Sequence, residues 1–465
     1  MVGNLILPEI RSLIAARDFN GLREIFKEWP PADVADVILD LPEDEQVILF
    51  RVLPTALAAD VFEYIGIEEQ QKLLRAMAHE QVVGILNEMS PDDRTALLEE
   101  LPSAASRQLI RLLTPEERRV AQVLLGYPEG SVGRLMTPDF IAVHEDETVK
   151  EVLDYVREYG RDSETLNVLY VVDEMGKLID DVRIREFLLK PLTAKVSEIR
   201  DKTFIALRVN DSQEEAVNIF RKYDRTALPV VDSNNVLVGI VTIDDMLDVA
   251  EEEATEDIQK IGGMEALDEP YMKITFFGMV RKRAVWLVIL FLGEMLTATA
   301  MATYQDELAR ALVLALFLPL IISSGGNSGS QASTLMIRAM ALGEVHLRDW
   351  WRVMGREFQA GLALGGILGV IGIIRVGAWA MIGEKYFNRQ PYGPHWPLIA
   401  LTVGIALVGV VLWGTLSGSM LPFVLRRLGA DPATSSAPFV ATLVDVTGLI
   451  IYFSIAFLIL RGAML

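Results

Sequence analysis

The chain contains no cysteine and only four histidines in 465 residues. Disulfides, thiolate metal centres and cysteine nucleophiles are therefore excluded, and no His or Cys cluster offers ligands to a soft metal. No Walker-type phosphate loop is present, because the Gly-rich run Gly325–Gly329 lies in an apolar stretch, so ATP hydrolysis is not expected. No nucleophile, base and oxyanion set is visible either, and an enzyme is not expected. Basic residues are outnumbered, 43 Lys and Arg against 64 Asp and Glu, for a formal net charge of −21. Binding a phosphate backbone requires clustered cations, so nucleic acid is excluded as a partner and cations are favoured. The opening residues, Met1-Val-Gly-Asn-Leu-Ile-Leu-Pro-Glu9, carry neither a basic n-region nor a long apolar core, and no cleaved signal peptide is expected.

The charge is not spread evenly. Residues 1–270 hold 55 acidic and 28 basic residues, whereas residues 271–465 hold 9 acidic and 15 basic. An acidic soluble region thus precedes a membrane region. Five apolar spans can be drawn, at about 284–303, 309–337, 358–383, 397–425 and 436–462, each able to cross a bilayer. Nine Lys and Arg, among them Arg281, Lys282, Arg283, Arg426 and Arg427, fall on the side of the N-terminus. Four, Arg310, Lys385, Arg389 and Arg461, fall on the other. The bias predicts a cytoplasmic N-terminus and an outer C-terminus.

Asp445 lies inside the last span, Pro438 to Leu460. A carboxylate near the bilayer centre costs roughly 2.5 to 3.5 kcal/mol on the insertion scale, so it normally faces a water-filled path or a cation. The alternative is a protonated Asp hydrogen-bonded between helices. Glu294, in the first span, could line a pore, pair with Arg375 or sit near the outer interface. Gly361, Gly365 and Gly369 share a face of the third span and read as a helix-packing stripe. Ahead of the third span runs Pro319-Leu-Ile-Ile-Ser-Ser-Gly-Gly-Asn-Ser-Gly-Ser-Gln-Ala-Ser-Thr334. Such a polar tract at membrane depth must be buried in protein or line an aqueous cavity. Asn327 and Gln331 offer carbonyl oxygens at i, i+4 spacing, and oxygen ligands suit hard cations.

In the soluble region, residues 1–130 read as helical hairpins with starts about 24 residues apart, at Pro42, Gly66, Ser90 and Thr114. Ser90 and Thr114 stand as N-caps before Pro at the first helical position. Residues 136–250 hold a tandem repeat: Phe140-Ile-Ala-Val-His-Glu-Asp-Glu-Thr aligns with Phe204-Ile-Ala-Leu-Arg-Val-Asn-Asp-Ser, 64 residues later. Each copy has a β-α-β-β-α pattern. Next comes an acidic segment in which Asp245, Asp248, Glu252 and Glu256 can share a helical face, followed by Asp257. Like charges so spaced disfavour a helix unless cations or a basic surface neutralise them. A solvated connector is the alternative.

Several of these segments resemble one family. Gly325-Gly-Asn-Ser-Gly-Ser-Gln-Ala-Ser-Thr334 with Arg338-Ala-Met-Ala-Leu-Gly-Glu344, Met420 to Pro432, and Phe439-Val-Ala-Thr-Leu-Val-Asp-Val-Thr-Gly448 resemble the signature of the MgtE magnesium transporters. The repeat, with its Met136-Thr-Pro138 start, resembles a CBS pair, a regulatory module that often binds adenine nucleotide.

The implied fold is a multi-domain α-helical membrane protein of the bacterial inner membrane. It comprises an acidic helical superhelix (1–130), an α/β tandem CBS pair (131–245, copies at about 136–190 and 200–245), a connecting "plug" helix (246–278) and five transmembrane helices (279–465). The resemblance further implies a homodimer around one ion pathway, with Asp445 as the central pore aspartate. Asp431 falls at the cytoplasmic end of the pore, and Asn327 joins them as a candidate pore ligand. Ala437 departs from the family, standing where an amide is associated with the gate.

Cytoplasmic magnesium is implied as the regulatory ligand. Its candidate sites are Asp60, Asp92 and Asp93 with Asp245, Asp248, Glu252, Glu256 and Asp257, and filling them would close the pore. Adenine nucleotide, such as ATP, is a candidate ligand at Thr242 and Asp245 of the second CBS copy. In the first copy Arg183 replaces that threonine, which argues against a ribose pocket there. Alternatives are transport of another divalent ion, cobalt or manganese, or a non-conducting nucleotide sensor.

Overall fold

The computed structural model describes residues 3–201, 203–267, 271–272, 274–305, 312–387 and 392–461. They form two compact units, Met1–Ala250 and Glu251–Leu465. Arg310 and Arg389, used above for orientation, lie outside the described residues.

The first unit begins with ten short helices, from Gly3–Ala16 to Pro115–Leu124. The 24-residue period is real, and each repeat is a pair: Glu43–Val52 with Thr55–Glu63, Ile67–Ala76 with His79–Glu88, Pro91–Glu100 with Ser103–Leu112. Each helix is too short to be stable alone, so the stack depends on its apolar faces. Leu22, Phe26, Leu49, Phe62 and Leu86 are fully buried in one continuous core. Thr114 caps as expected, accepting from the Glu117 N–H at 3.3 Å. Ser90 does not cap its helix. Its hydroxyl instead donates to the Asp93 carboxylate at 2.7 Å, and its N–H donates to Glu63 at 2.7 Å.

The CBS copies follow as two three-stranded sheets, β1 (Ala142–His144), β2 (Val168–Val172) and β3 (Leu178–Arg183), then β4 (Leu207–Arg208), β5 (Ala227–Val231) and β6 (Leu237–Thr242). In each, the first two strands pair in parallel across a helix and the last two pair antiparallel. The central strands β2 and β5 are buried throughout, which explains their unbroken apolar runs. A 19-residue helix, Ile243–Ile261, leads from the first unit into the second.

The second unit contains five helices long and apolar enough to cross a membrane, as expected: Phe276–Thr303, Leu312–Ala341, Leu347–Gly383, Trp396–Arg427 and Ala437–Leu460. Their ends differ from the drawn spans by several residues, because amphipathic ends such as Phe276–Arg283 stay helical beyond the apolar core. The polar tract is not a connection ahead of the third span. It lies inside the helix Leu318–Ala341, since glycine and serine keep that backbone hydrogen-bonded while allowing close neighbours.

That close approach sets the architecture. Gly325 and Gly329 face Gly414 and Gly418 of the fourth helix, and a Cβ on either of the latter would collide with a carbonyl of the former. Beside this crossing the hydroxyls of Ser328 and Thr415 share a hydrogen bond of 2.7 Å. The stripe Gly361, Gly365 and Gly369 packs likewise, against Val408 and neighbouring residues of the fourth helix. Gly418→Ala should therefore cost about 1–3 kcal/mol by overpacking. Gly366→Ala, where a Cβ would meet nothing within 4 Å, should be neutral. Thermal unfolding of the detergent-solubilised variants measures the difference.

Candidate ion path and cytosolic carboxylate cluster

Asp445 is the ninth residue of the helix Ala437–Leu460, roughly 12 Å along it at 1.5 Å per residue. It points toward the polar tract: a Cβ on Gly326 would lie 3.8 Å from Asp445 Oδ1. The Glu294 carboxyl of the first spanning helix comes within hydrogen-bonding reach of Asp445. Of the three roles open to Glu294, the structure supports a shared site with Asp445, while Arg375 instead stacks over Trp379 at 4.7 Å. Two carboxyl groups so close repel unless a cation or a proton lies between them. Asn327 is exposed one residue beyond Gly326, its amide weakly donating to Ser323 Oγ at 3.5 Å. Ala437 presents its carbonyl, which accepts from Ser330 Oγ at 3.0 Å. Asp445 and Glu294 thus flank one polar seam between the first and fifth helices, with Gly326 of the second beside it.

Asp431 lies outside the spans, in the turn before the fifth helix, and both its oxygens are engaged. Oδ1 accepts from the Ala433 N–H at 2.8 Å and so shapes the turn. Oδ2 accepts from Lys260 Nζ at 2.7 Å, and Lys260 also reaches Glu256 at 2.5 Å. Burial works against this ammonium, but hydrogen bonds to Asp431 and Glu256 outweigh it and raise its pKa. Sequence reasoning missed Lys260. The i, i+4 spacing from Glu256 was legible, but the contact across 171 residues was not.

In the first unit a second group of carboxylates collects where the helix Pro91–Glu100 meets the CBS pair. Asp92, 7% exposed, is held well above the usual carboxylate range by burial and by the nearby charges of Asp245, Asp93 and Glu164. Asp93 is raised by burial, with Asp244 and Asp248 adding to it. Asp245 is pushed up to about 7, mainly by burial. Glu63 also reaches about 7, again chiefly by burial, with Asp93 and Asp60 adding repulsion. Asp60 is raised more mildly, by burial. The structure therefore brings Asp60, Asp92, Asp93, Asp245 and Asp248 into one region and adds Glu63, Glu164 and Asp244, which no motif singled out. Glu252, Glu256 and Asp257 lie beyond Ala250, in the second unit. Among the described residues, no three His, Asp or Glu side chains converge as a ready-made metal site. The helix is held in place by Arg94, which is fully buried and bonded to Glu117 and to the carbonyls of Leu86 and Met89 at 3.1 Å each.

Thr242 and Asp245, the nucleotide candidates, do come together, the hydroxyl donating to the carboxylate at 2.9 Å. Their surroundings are acidic, so phosphate would be repelled there. Open space lies in a neighbouring cleft to which both CBS copies contribute. A cavity of about 340 Å³ is lined by Asn167, Val168, Arg183, Ile184, Arg185, Asp224, Arg225 and Thr226. Three guanidinium groups make it a phosphate-compatible site. Asp224 turns its lip in the left-handed region, φ 48°, which Asp tolerates better than most residues. Behind it Asp181, buried and pushed up to about 6 chiefly by burial, meets Arg225 at 3.0 Å. The arginine that argued against a ribose pocket in the first copy is thus part of the more open cleft.

Comparison with known proteins agrees with this architecture. Residues 318–455 match the family described as MgtE, divalent cation transporter. Residues 29–130 match the MgtE intracellular N domain, and 132–190 and 196–252 match CBS domains. The magnesium transporter MgtE of Thermus thermophilus is 39% identical over 96% of both chains. The chain belongs to the MgtE family. The magnesium transporter MgtE of Bacillus subtilis is 29% identical over 98% of both chains. These relatives are named as transporters, not as enzymes. A cytosolic domain of the magnesium channel MgtE, solved in complex with ATP, is 34% identical with a TM-score of 0.50. It covers 52% of this chain and 99% of its own.

The buried carboxylates predict a pH effect with a definite sign. Their folded pKa values exceed the unfolded range, so the native state holds more protons and its stability falls as pH rises. The penalty is absent below about pH 4 and complete above about pH 7, and for Asp245 it amounts to a few kcal/mol. Chelator-treated protein should resist protease in its first 250 residues better at pH 5.5 than at pH 7.5. Asp245→Asn should flatten that dependence.

Proposed function

We propose that this member of the MgtE family is a magnesium-selective, channel-type transporter of the bacterial inner membrane, closed by cytoplasmic magnesium. The observation that carries the reading is the pair Asp445 and Glu294 at membrane depth beside the polar tract. Magnesium sheds its water reluctantly and demands octahedral geometry at about 2.1 Å, so carboxylates hold it best through some of its own waters. The seam offers carboxylate, amide and backbone oxygens, the donor types a hard hydrated cation prefers. A homodimer would place two such seams around one path and double the charge at its centre. The orientation follows the positive-inside bias, with the acidic unit in the cytoplasm and the C-terminus outside. Asp445→Ala should abolish magnesium uptake into proteoliposomes while leaving the oligomer intact. Wild-type uptake in that variant would sink the assignment, and preferential uptake of cobalt or manganese would redirect it.

Regulation rests on the carboxylates of the first unit. Asp92, Asp93, Asp245 and Asp248 are crowded without a built ligand set, so magnesium would bind weakly, through pairs of carboxylates and its own waters. Binding that stabilises the compact arrangement more than the loosened one supplies the coupling. Magnesium in the millimolar range should protect the soluble region from protease at neutral pH, and Asp92→Asn with Asp93→Asn should remove most of that protection. Protease sensitivity indifferent to magnesium would rule out this form of gating.

Adenine nucleotide is assigned to the arginine-lined cleft and not to Thr242 and Asp245. Replacing Arg183 and Arg225 by Gln should lower ATP affinity at least tenfold by calorimetry, the equivalent of about 1.4 kcal/mol. Thr242→Ala should leave it within a factor of about two.

A further inference from the structure

The helix Ile243–Ile261 ends at the mouth of the membrane unit on a cation of its own. Lys260 Nζ lies 2.7 Å from Asp431 Oδ2 and 2.5 Å from Glu256. Its side chain is 25% exposed and that of Asp431 37%, so the contact is half-buried. Asp431 is fixed from the other side, because its second oxygen holds the Ala433 N–H and the turn Pro432–Thr434. The residues just past the helix are seated as well: a Cβ on Gly263 would collide with Trp286 of the first spanning helix and crowd Pro438 at the start of the fifth. Trp286 Nε1 in turn donates to Ser436 at 3.1 Å. The end of the acidic helix is therefore held against the start of the Asp445 helix by one ammonium and a glycine contact.

We infer that Lys260 is a built-in counter-cation of the ion path, occupying the Asp431 carboxylate that a passing magnesium ion must use and holding the helix end in the closed position. The inference rests on the transport reading, in which Asp431 stands at the cytoplasmic entrance. An ammonium and a hydrated divalent cation compete for the same oxygens, and Asp431 Oδ2 can serve only one of them well. While Lys260 is seated, the entrance is neutralised and occupied. When it leaves, Glu256 and Asp431 face each other as two anions, which drives the helix end away unless a cation replaces the ammonium. Lys260 is a positioning residue: it sets how much cytoplasmic magnesium is needed for closure, not whether the seam at Asp445 conducts.

Two measurements test this on the full-length protein. In proteoliposomes, Lys260→Gln should raise the internal magnesium giving half-maximal inhibition roughly five- to tenfold, each variant being scaled to its own uptake at low magnesium. Lys260→Arg, which keeps the charge and can still donate to both carboxylates, should behave as wild type. Asp431→Asn preserves the turn-shaping acceptor, and combining it with Lys260→Gln should add no further shift, because both remove one contact. An unchanged or lowered half-inhibiting concentration, or independent additive shifts, would overturn the inference. Amide hydrogen exchange across residues 251–261 reads the clamp without reference to flux. Exchange should quicken in Lys260→Gln and not in Lys260→Arg, and equal exchange in all three would overturn the proposal even in a transporting protein. Failure of wild-type uptake would instead refute the transport reading, with the exchange result still deciding the clamp.

Discussion

A carboxylate removed from water must be given a cation, a proton or a set of donors, and the two units meet this demand differently. In the first unit, Asp92 is packed by the stack behind it, whose alignment depends on the buried Arg94 and its bonds to Glu117 and two carbonyls. The bonds of Arg94 run to Glu117 and these carbonyls and not to Asp92. The charges of Asp93, Asp245 and Glu164 then add to the cost of Asp92. In the second unit, the mouth is compensated internally by Lys260, whereas Asp445 has Glu294 as its neighbour, a group of the same sign. Both the cluster and the seam thus have carboxylates brought close together by their packing.

Several other polar side chains of the spans show what a satisfied membrane helix looks like. Ser324 donates to the Leu320 carbonyl, Thr415 to Val411, Thr442 to Pro438 and Thr447 to Leu443. Each is a local i−4 bond that needs neither water nor an ion. Their presence therefore says little about a conduction path. Asp445 has no local bond of this kind; its partner is Glu294 of another helix, and two carboxyl groups can be joined in that way only through a proton. The close glycine crossing of the second and fourth helices supplies the rigidity that keeps Asp445 aimed at Gly326. Gly325 and Gly329 pack against both the fourth and the fifth helices, and Gly326 beside them leaves room for Asp445.

Much of this was legible in the sequence because it is periodic or costly. The 24-residue helical period, the two CBS copies and five apolar spans follow from patterns that local physics enforces. Asp445 stood out because charge in an apolar run is expensive. The misses are contacts between distant segments. Ser90 read as a helix cap because Ser-Pro-Asp-Asp has the right local form, yet Asp93 captures its hydroxyl and Glu63 its N–H. The polar tract read as lying between two spans, whereas its glycines and serines, poor helix formers in water, are held in a helix here by close neighbours. Arg183 read as the loss of a ribose contact. Only the fold shows that Arg185 and Arg225 join it around one cavity. Glu294 had three roles open to it until its helix was placed beside Asp445.

The proposed magnesium gating places one demand on its sites. A site with preformed octahedral ligands would bind magnesium tightly and stay filled at ordinary cytoplasmic levels, leaving nothing to sense. In the proposed scheme, paired carboxylates without a preformed ligand cage bind it weakly and each ion contributes only part of the neutralisation, so the response would be spread over several ligands and become steep only through their shared dependence on one compact arrangement. An ammonium at the far end of the same helix complements this scheme. It lies 2.7 Å from Asp431 whatever the magnesium level, which in that scheme would give the closed position a constant bias. The divalent ions then need to supply only the remainder, and a weak, fast-exchanging set of sites is sufficient to do so.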